Sequence, residues 1–146
     1  MRILGLDPGG TTGIVLVDTD DWTYDAWEIP VNKAWGQIWD LLVWQTPDLV
    51  SIEQFIVTVR TATLSRQSDA TDLIGWAKGL AKICKVPLVS DSAGNAKAAW
   101  SNERLSMVGL RVVGDHARDA MRHALLGAQK HGKVPPLRPR PDEEGR

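Results

Sequence analysis

A single cysteine, Cys84, in 146 residues excludes an intramolecular disulfide and any zinc centre built from several thiolates. A reducing, cytoplasmic setting is the expectation that follows. No apolar run approaches the roughly 18 residues that a membrane-spanning helix needs, so no membrane partner is expected. The opening MRILGLDPGG places an acid and glycines where the apolar stretch of a signal peptide would lie. An excess of either charge is also missing: 17 Lys and Arg stand against 18 Asp and Glu, a net charge of −1. Proteins that grip phosphates usually carry a basic excess. A role on nucleic acid would therefore rest on where the charges sit, and the C-terminal third is rich in arginine.

Aromatics are few except for tryptophan, with one Phe and one Tyr beside seven Trp. The length fits one domain with a real core. Residues 1–131 are expected to form it, and the Pro-, Arg- and Glu-rich stretch 132–146 to be a flexible tail.

Residues 2–7 (RILGLD) and 13–18 (GIVLVD) are apolar runs parted by PGGTT, which reads as a hairpin. A third strand falls at 22–29 and ends at Pro30. Trp35, Ile38, Trp39 and Leu42 recur at helical spacing over 33–45, with Trp35 and Trp39 expected in the core. DLVSIE (48–53) reads as a short buried strand. Residues 54–68 lack a period and read as a loop bearing Arg60 and Arg66. A helix over 69–84, capped by Ser68, puts Leu73, Trp76, Ala77, Leu80 and Cys84 on one face, with Gly75 and Gly79 opposite. VPLVS (86–90) is a further strand, short helical stretches run to Met107, and a last helix spans 115–131 with Asp115 as its cap. A meander followed by alternating helices and strands implies an α/β fold. The expected core is a five-stranded mixed sheet, its first three strands antiparallel, flanked by helices.

Three acids stand where sheet core should give way to solvent. Asp7 ends the first strand, Glu53 ends the fourth, and Asp119 lies early in the last helix. A charge at the end of a buried strand is costly unless paired or metal-bound, and carboxylates are the usual ligands of Mg²⁺. His116 and Asp119, three residues apart, share one side of the helix, beside an apolar face of Ala117, Ala120, Met121, Ala124 and Ala128. His123 and His131 read as surface residues. Thr11 and Thr12 are expected to brace the first turn.

ILGLDPGGTTGIVLVD (3–18) resembles the opening of RuvC-type Holliday junction resolvases. IEQF (52–55) is similar to that family's second acidic motif, IGWAKGLA (74–81) to its glycine-spaced helix, and Asn95-Ala96-Lys97 to its lysine-bearing turn. HARDAMRHAL (116–125) resembles the closing motif, and the likeness extends over about residues 2–130. It implies an RNase H-like fold and a structure-selective endonuclease that hydrolyses phosphodiesters in branched DNA, in recombination and repair. It also implies two Mg²⁺ or Mn²⁺ ions per active site. On this pattern Asp7 bridges the ions, Glu53 and Asp119 complete their shells, and His116 is a ligand or moves a proton. Lys97 adds positive charge near the phosphate. Phe55 is either a base-stacking or a core residue. Apart from the likeness, Arg60 and Arg66 in the loop after Glu53 are expected to contact phosphates, and the excess of tryptophan makes Trp76, with the Gly75/Gly79 side, an expected homodimer contact.

The chain departs from the pattern in its short span between the first two acidic motifs. It also has AAWSNERLSMV (98–108) in place of a glycine-rich stretch, and a less basic composition. Flaps and forks thus stand beside four-way junctions as expected substrates. An RNA-processing nuclease of the YqgF type and a non-catalytic nucleic-acid-binding protein of the same fold are the alternatives. An actin-like phosphate loop would need two lobes, for which the chain is too short.

Overall fold

The computed structural model describes residues 1–55 and 67–138. Strands β1 (Arg2–Asp7), β2 (Thr11–Asp18) and β3 (Tyr24–Pro30) are followed by helix α1 (Val31–Trp44) and strand β4 (Leu49–Glu53). Helix α2 (Gln67–Ile83), strand β5 (Leu88–Asp91) and helices α3 (Ala93–Ala99), α4 (Asn102–Met107) and α5 (Asp115–Lys130) complete the order. The strands lie as β3-β2-β1-β4-β5. Pairing is antiparallel within the opening meander and parallel from β1 to β4 and β4 to β5. The expected mixed sheet is present.

Successive side chains of a strand point to opposite faces, and both faces of this sheet are covered. Leu4, Leu6, Ile14, Leu16, Val50 and Ile52 pack against α1 and α2. Ile3, Val15, Val17 and Leu49 pack on the other face, under the buried Ala117, Ala120, Met121, Ala124 and Ala128 of α5. Asp7, Gly13, Ser51 and Glu53 alternate onto that same face, so the acids lie beneath α5.

Small residues let α5 approach closely. A Cβ on Gly5 would overlap the Ala120 carbonyl and stand 2.8 Å from the Ala124 Cβ. One on Gly13 would occupy the position of the His116 carbonyl. The hydroxyl of the fully buried Ser51 donates to the His123 carbonyl at 2.6 Å, tying the middle of α5 to β4.

Several local expectations are corrected. Trp39 is 48% exposed, because Ala34, Ile38, Leu41 and Leu42 take the inward positions of α1. Trp35 does pack inward, edge-on against Trp76 of α2 with ring centroids 5.0 Å apart. The Trp76 ring is therefore engaged within its own chain. Ser68 falls inside α2, which begins at Gln67. Just beyond α5, Pro135 is buried and the Arg138 N–H donates to the Met107 carbonyl at 3.0 Å; the rest of the segment read as a tail, 139–146, lies outside the described residues. Among the described residues no helix is long and apolar enough to cross a membrane.

Candidate active site

Strand pairing lines up the acids. Asp7 pairs with Gly13, and Gly13 with Glu28. On the other side Leu6 is level with Ile52, and the next residue of β4, Glu53, is level with Asp91. Glu28, Gly13, Asp7, Glu53 and Asp91 thus form one row across the sheet.

Helix α5 runs above this row and meets its members in turn. The Glu28 carboxylate accepts the backbone N–H groups of His116 (2.6 Å) and Ala117 (3.0 Å). His116 Nδ1 lies 3.0 Å from Asp7 Oδ2. His123 Nε2 lies 3.8 Å from Glu53 Oε2, and Lys130 Nζ is 2.6 and 2.8 Å from the two oxygens of Asp91. Residues 116, 123 and 130 are spaced by about two helical turns, so they share one side of the helix.

The start of α5 differs from expectation. Gly114, at φ 95°, precedes the helix, a left-handed conformation that favours glycine. Its missing side chain leaves room for the Glu28 carboxylate, which satisfies two free N–H groups and complements the helix dipole. Asp115 is therefore not the cap; its side chain is 91% exposed and pairs with Arg118 at 3.0 Å.

Asp119 lies one turn past His116 and is held by two cations. Its Oδ2 is 3.2 Å from Lys97 Nζ on α3, and its Oδ1 bonds the Arg122 guanidinium. Arg122 is 8% exposed. Its Nε donates to the Trp100 carbonyl at 2.9 Å and its other terminal nitrogen to Asn102, which ties α5 to the α3–α4 corner.

Asp7 is nearly buried, and burial pushes its carboxyl up to about 9, helped by hydrogen bonding to Glu53 and by the charges of Glu53 and Asp119. Burial opposes the charge of Glu53 too, but hydrogen bonding to His123 and Asp7 outweighs it, and Glu53 lies below its ordinary value. Burial and the neighbouring acids thus favour the protonated form of Asp7, whereas its hydrogen-bond partners favour the ionised form of Glu53.

A pH dependence follows. Asp7 binds its proton more tightly folded than unfolded, so its contribution favours the fold at low pH. That contribution declines as pH rises from about 4 towards 9. The lowered Glu53 acts oppositely, and only on the acid side. The metal-free protein is expected to lose thermal stability between pH 6 and pH 9 on the order of several degrees. The loss should be flattened in Asp7→Asn, as differential scanning calorimetry in chelator would show.

Three carboxylates and an imidazole suit a hard divalent cation such as Mg²⁺ or Mn²⁺. A dication would also relieve the crowding of acids that raises Asp7. Among the described residues no three His, Cys, Asp or Glu side chains are closed around a single ligating point; Asp119 faces its two cations instead. Asp7 is brought into contact with His116 and with Glu53, and Asp119 pairs with Lys97 further along α5.

Phe55 follows β4 and is partly buried against the α1–α2 core. Arg60 and Arg66 lie outside the described residues. Thr12 braces the first turn, its hydroxyl donating to the Gly9 carbonyl at 3.0 Å, whereas Thr11 is exposed.

Sequence reasoning missed Glu28, Arg122 and His123. His123 is only 1% exposed and is not the surface residue expected. Its seven-residue spacing from His116 was the available signal. Arg122 stands three residues after Asp119, at ion-pair spacing on a helix. Glu28 had no local signal, since its partners are 88 and 89 residues away.

No protein-family model and no curated protein matches the chain. Solved structures do. RuvC of Thermus thermophilus in complex with Holliday junction substrate is 16% identical, with 94% of this chain and 99% of that one covered at a TM-score of 0.67. A second T. thermophilus RuvC structure is 18% identical, with coverage of 94% and 100% and a TM-score of 0.67. The fowlpox virus resolvase with Holliday junction DNA is 14% identical, with coverage of 91% and 100% and a TM-score of 0.54. The chain has the RNase H-like fold of these resolvases.

Proposed function

We propose that this chain is a metal-dependent endonuclease that cuts branched DNA, with the four-way junction as its substrate. The observation that carries the reading is the nearly buried Asp7, in contact with His116 on one side and Glu53 on the other, with Asp119 further along α5. The setting is a fold shared with resolvases solved on Holliday junctions.

Asp7 is the central acid, and Glu53 and Asp119 flank it as the remaining carboxylate ligands. These residues would hold Mg²⁺ or Mn²⁺, which would supply an activated water and stabilisation of the leaving oxygen. His116, with its side chain 48% exposed and one ring nitrogen on Asp7, is open to ligate an ion or relay a proton. Lys97, half-exposed beside Asp119, adds positive charge for the scissile phosphate.

Paired cuts across a junction call for a second copy of the chain. The exposed side of α2 supports that arrangement: nothing lies within 4 Å of where Cβ atoms on Gly75 and Gly79 would stand, and Ile83 is 78% exposed.

Incubating the protein with labelled four-way, flap, linear and RNA substrates plus Mg²⁺ or Mn²⁺ is the test. Cuts concentrated in the four-way junction are expected. Intact strands throughout would leave a binding protein, and preferential cleavage of RNA would favour the YqgF-like alternative.

A further inference from the structure

Both oxygens of Asp119 are engaged by cationic side chains, but the two cations are held very differently. Arg122 is buried and fixed at three points: Asp119, the Trp100 carbonyl and the Asn102 side chain. Withdrawing it would strand buried donors without partners, which is costly. Lys97 is 55% exposed, and the ion pair at 3.2 Å is the bond the structure shows for its ammonium. Its long side chain can swing into water at little cost, since exposed ion pairs contribute only about 1 kcal/mol or less.

A divalent cation and an ammonium ion would compete for the same oxygen. Two positive centres in contact distance of one carboxylate oxygen repel strongly in a half-buried setting. We propose that Lys97 is a displaceable counter-ion at Asp119, holding the place that a divalent cation would take, while Arg122 stays and keeps the carboxylate fixed against α5. Lys97 then neutralises Asp119 in the metal-free protein. Once displaced, its ammonium is free to pair with a phosphate of the substrate. This inference rests on the metal-nuclease reading above and adds an order of events to it.

The test is Mn²⁺ binding to the full chain without DNA, followed by isothermal titration calorimetry. Wild type is compared with Asp7→Asn, Lys97→Met and Lys97→Arg. Asp7→Asn is expected to weaken Mn²⁺ binding by more than about tenfold, which marks the site as the acidic row. Lys97→Met removes the competitor and is expected to bind Mn²⁺ about fivefold more tightly than wild type. Lys97→Arg restores a cation and is expected to return the affinity to the wild-type value or below. A general loss of structure would weaken binding, so a gain at Lys97→Met cannot come from disruption. Unchanged or weaker binding in Lys97→Met, with the Asp7→Asn effect intact, would overturn the counter-ion proposal and leave the nuclease reading standing. Absence of Mn²⁺ binding in wild type, or indifference to Asp7→Asn, would overturn both.

Discussion

Asp7→Asn is expected to reduce cleavage of a mobile four-way junction by at least about a thousandfold while making the metal-free fold more stable. The two effects share one cause. Asp7 sits nearly buried at the centre of the row, bonded to His116 and close to Glu53. Its carboxylate is costly to form there, and burial together with the neighbouring acids drives its carboxyl up to about 9. Asparagine keeps the shape and the capacity to hydrogen-bond but takes on no charge. It therefore escapes the penalty and loses the capacity to ligate a cation. Gel assays on labelled junctions would measure the first effect and thermal melts in chelator at pH 8 the second. Wild-type cleavage by the variant would end the nuclease assignment. Lost cleavage together with a lowered melting temperature would point to simple misfolding.

The second large effect belongs to a residue with no side chain. Gly13→Ala is expected to cost about 3 kcal/mol or more, a drop of roughly 10 °C in melting temperature. The added methyl would stand where the His116 carbonyl lies, and a helix backbone cannot step aside as a flexible side chain can. Relief requires α5 to lift from β2, which loosens His116 from Asp7 and the helix start from Glu28. Gly36→Ala makes the control. That position is an exposed site in α1 with nothing within 4 Å of a Cβ. Replacement there is expected to raise stability by up to about 1 kcal/mol through helix propensity. Equal melting temperatures for the two variants would show that close packing of α5 on β2 does not matter.

The parts of this architecture that were legible in the sequence are those written locally. Short apolar runs bounded by turn residues and proline marked β1, β2 and β4, and the alanine-rich face of α5 announced the packed helix. Asp7, Glu53 and Asp119 stood out because each interrupts an apolar pattern where a charge is costly. What could not be read was set by tertiary contact. Trp39 and Ile38 are neighbours in one amphipathic pattern, and only the position of α1 on the sheet decides which points inward. His123 resembles any helical histidine until β4 places Glu53 under it. The cap of α5 comes from β3, so the nearby Asp115 took that role by proximity alone. Arg122 was overlooked because a buried arginine is rare without partners. Two of those partners, Trp100 and Asn102, lie 22 and 20 residues before it, in the α3–α4 corner.

The stepwise meeting of α5 with the sheet limits how the chain can change length. One residue inserted between His116 and His123 would swing everything beyond it by about 100° around the helix axis. His123 and Lys130 would then miss Glu53 and Asp91, while the Asp7 end stayed intact. Connections elsewhere, such as that between β2 and β3, can grow or shrink without disturbing this alignment. Remote kin of this protein should therefore share an indel-free final helix even where the loops have diverged beyond alignment.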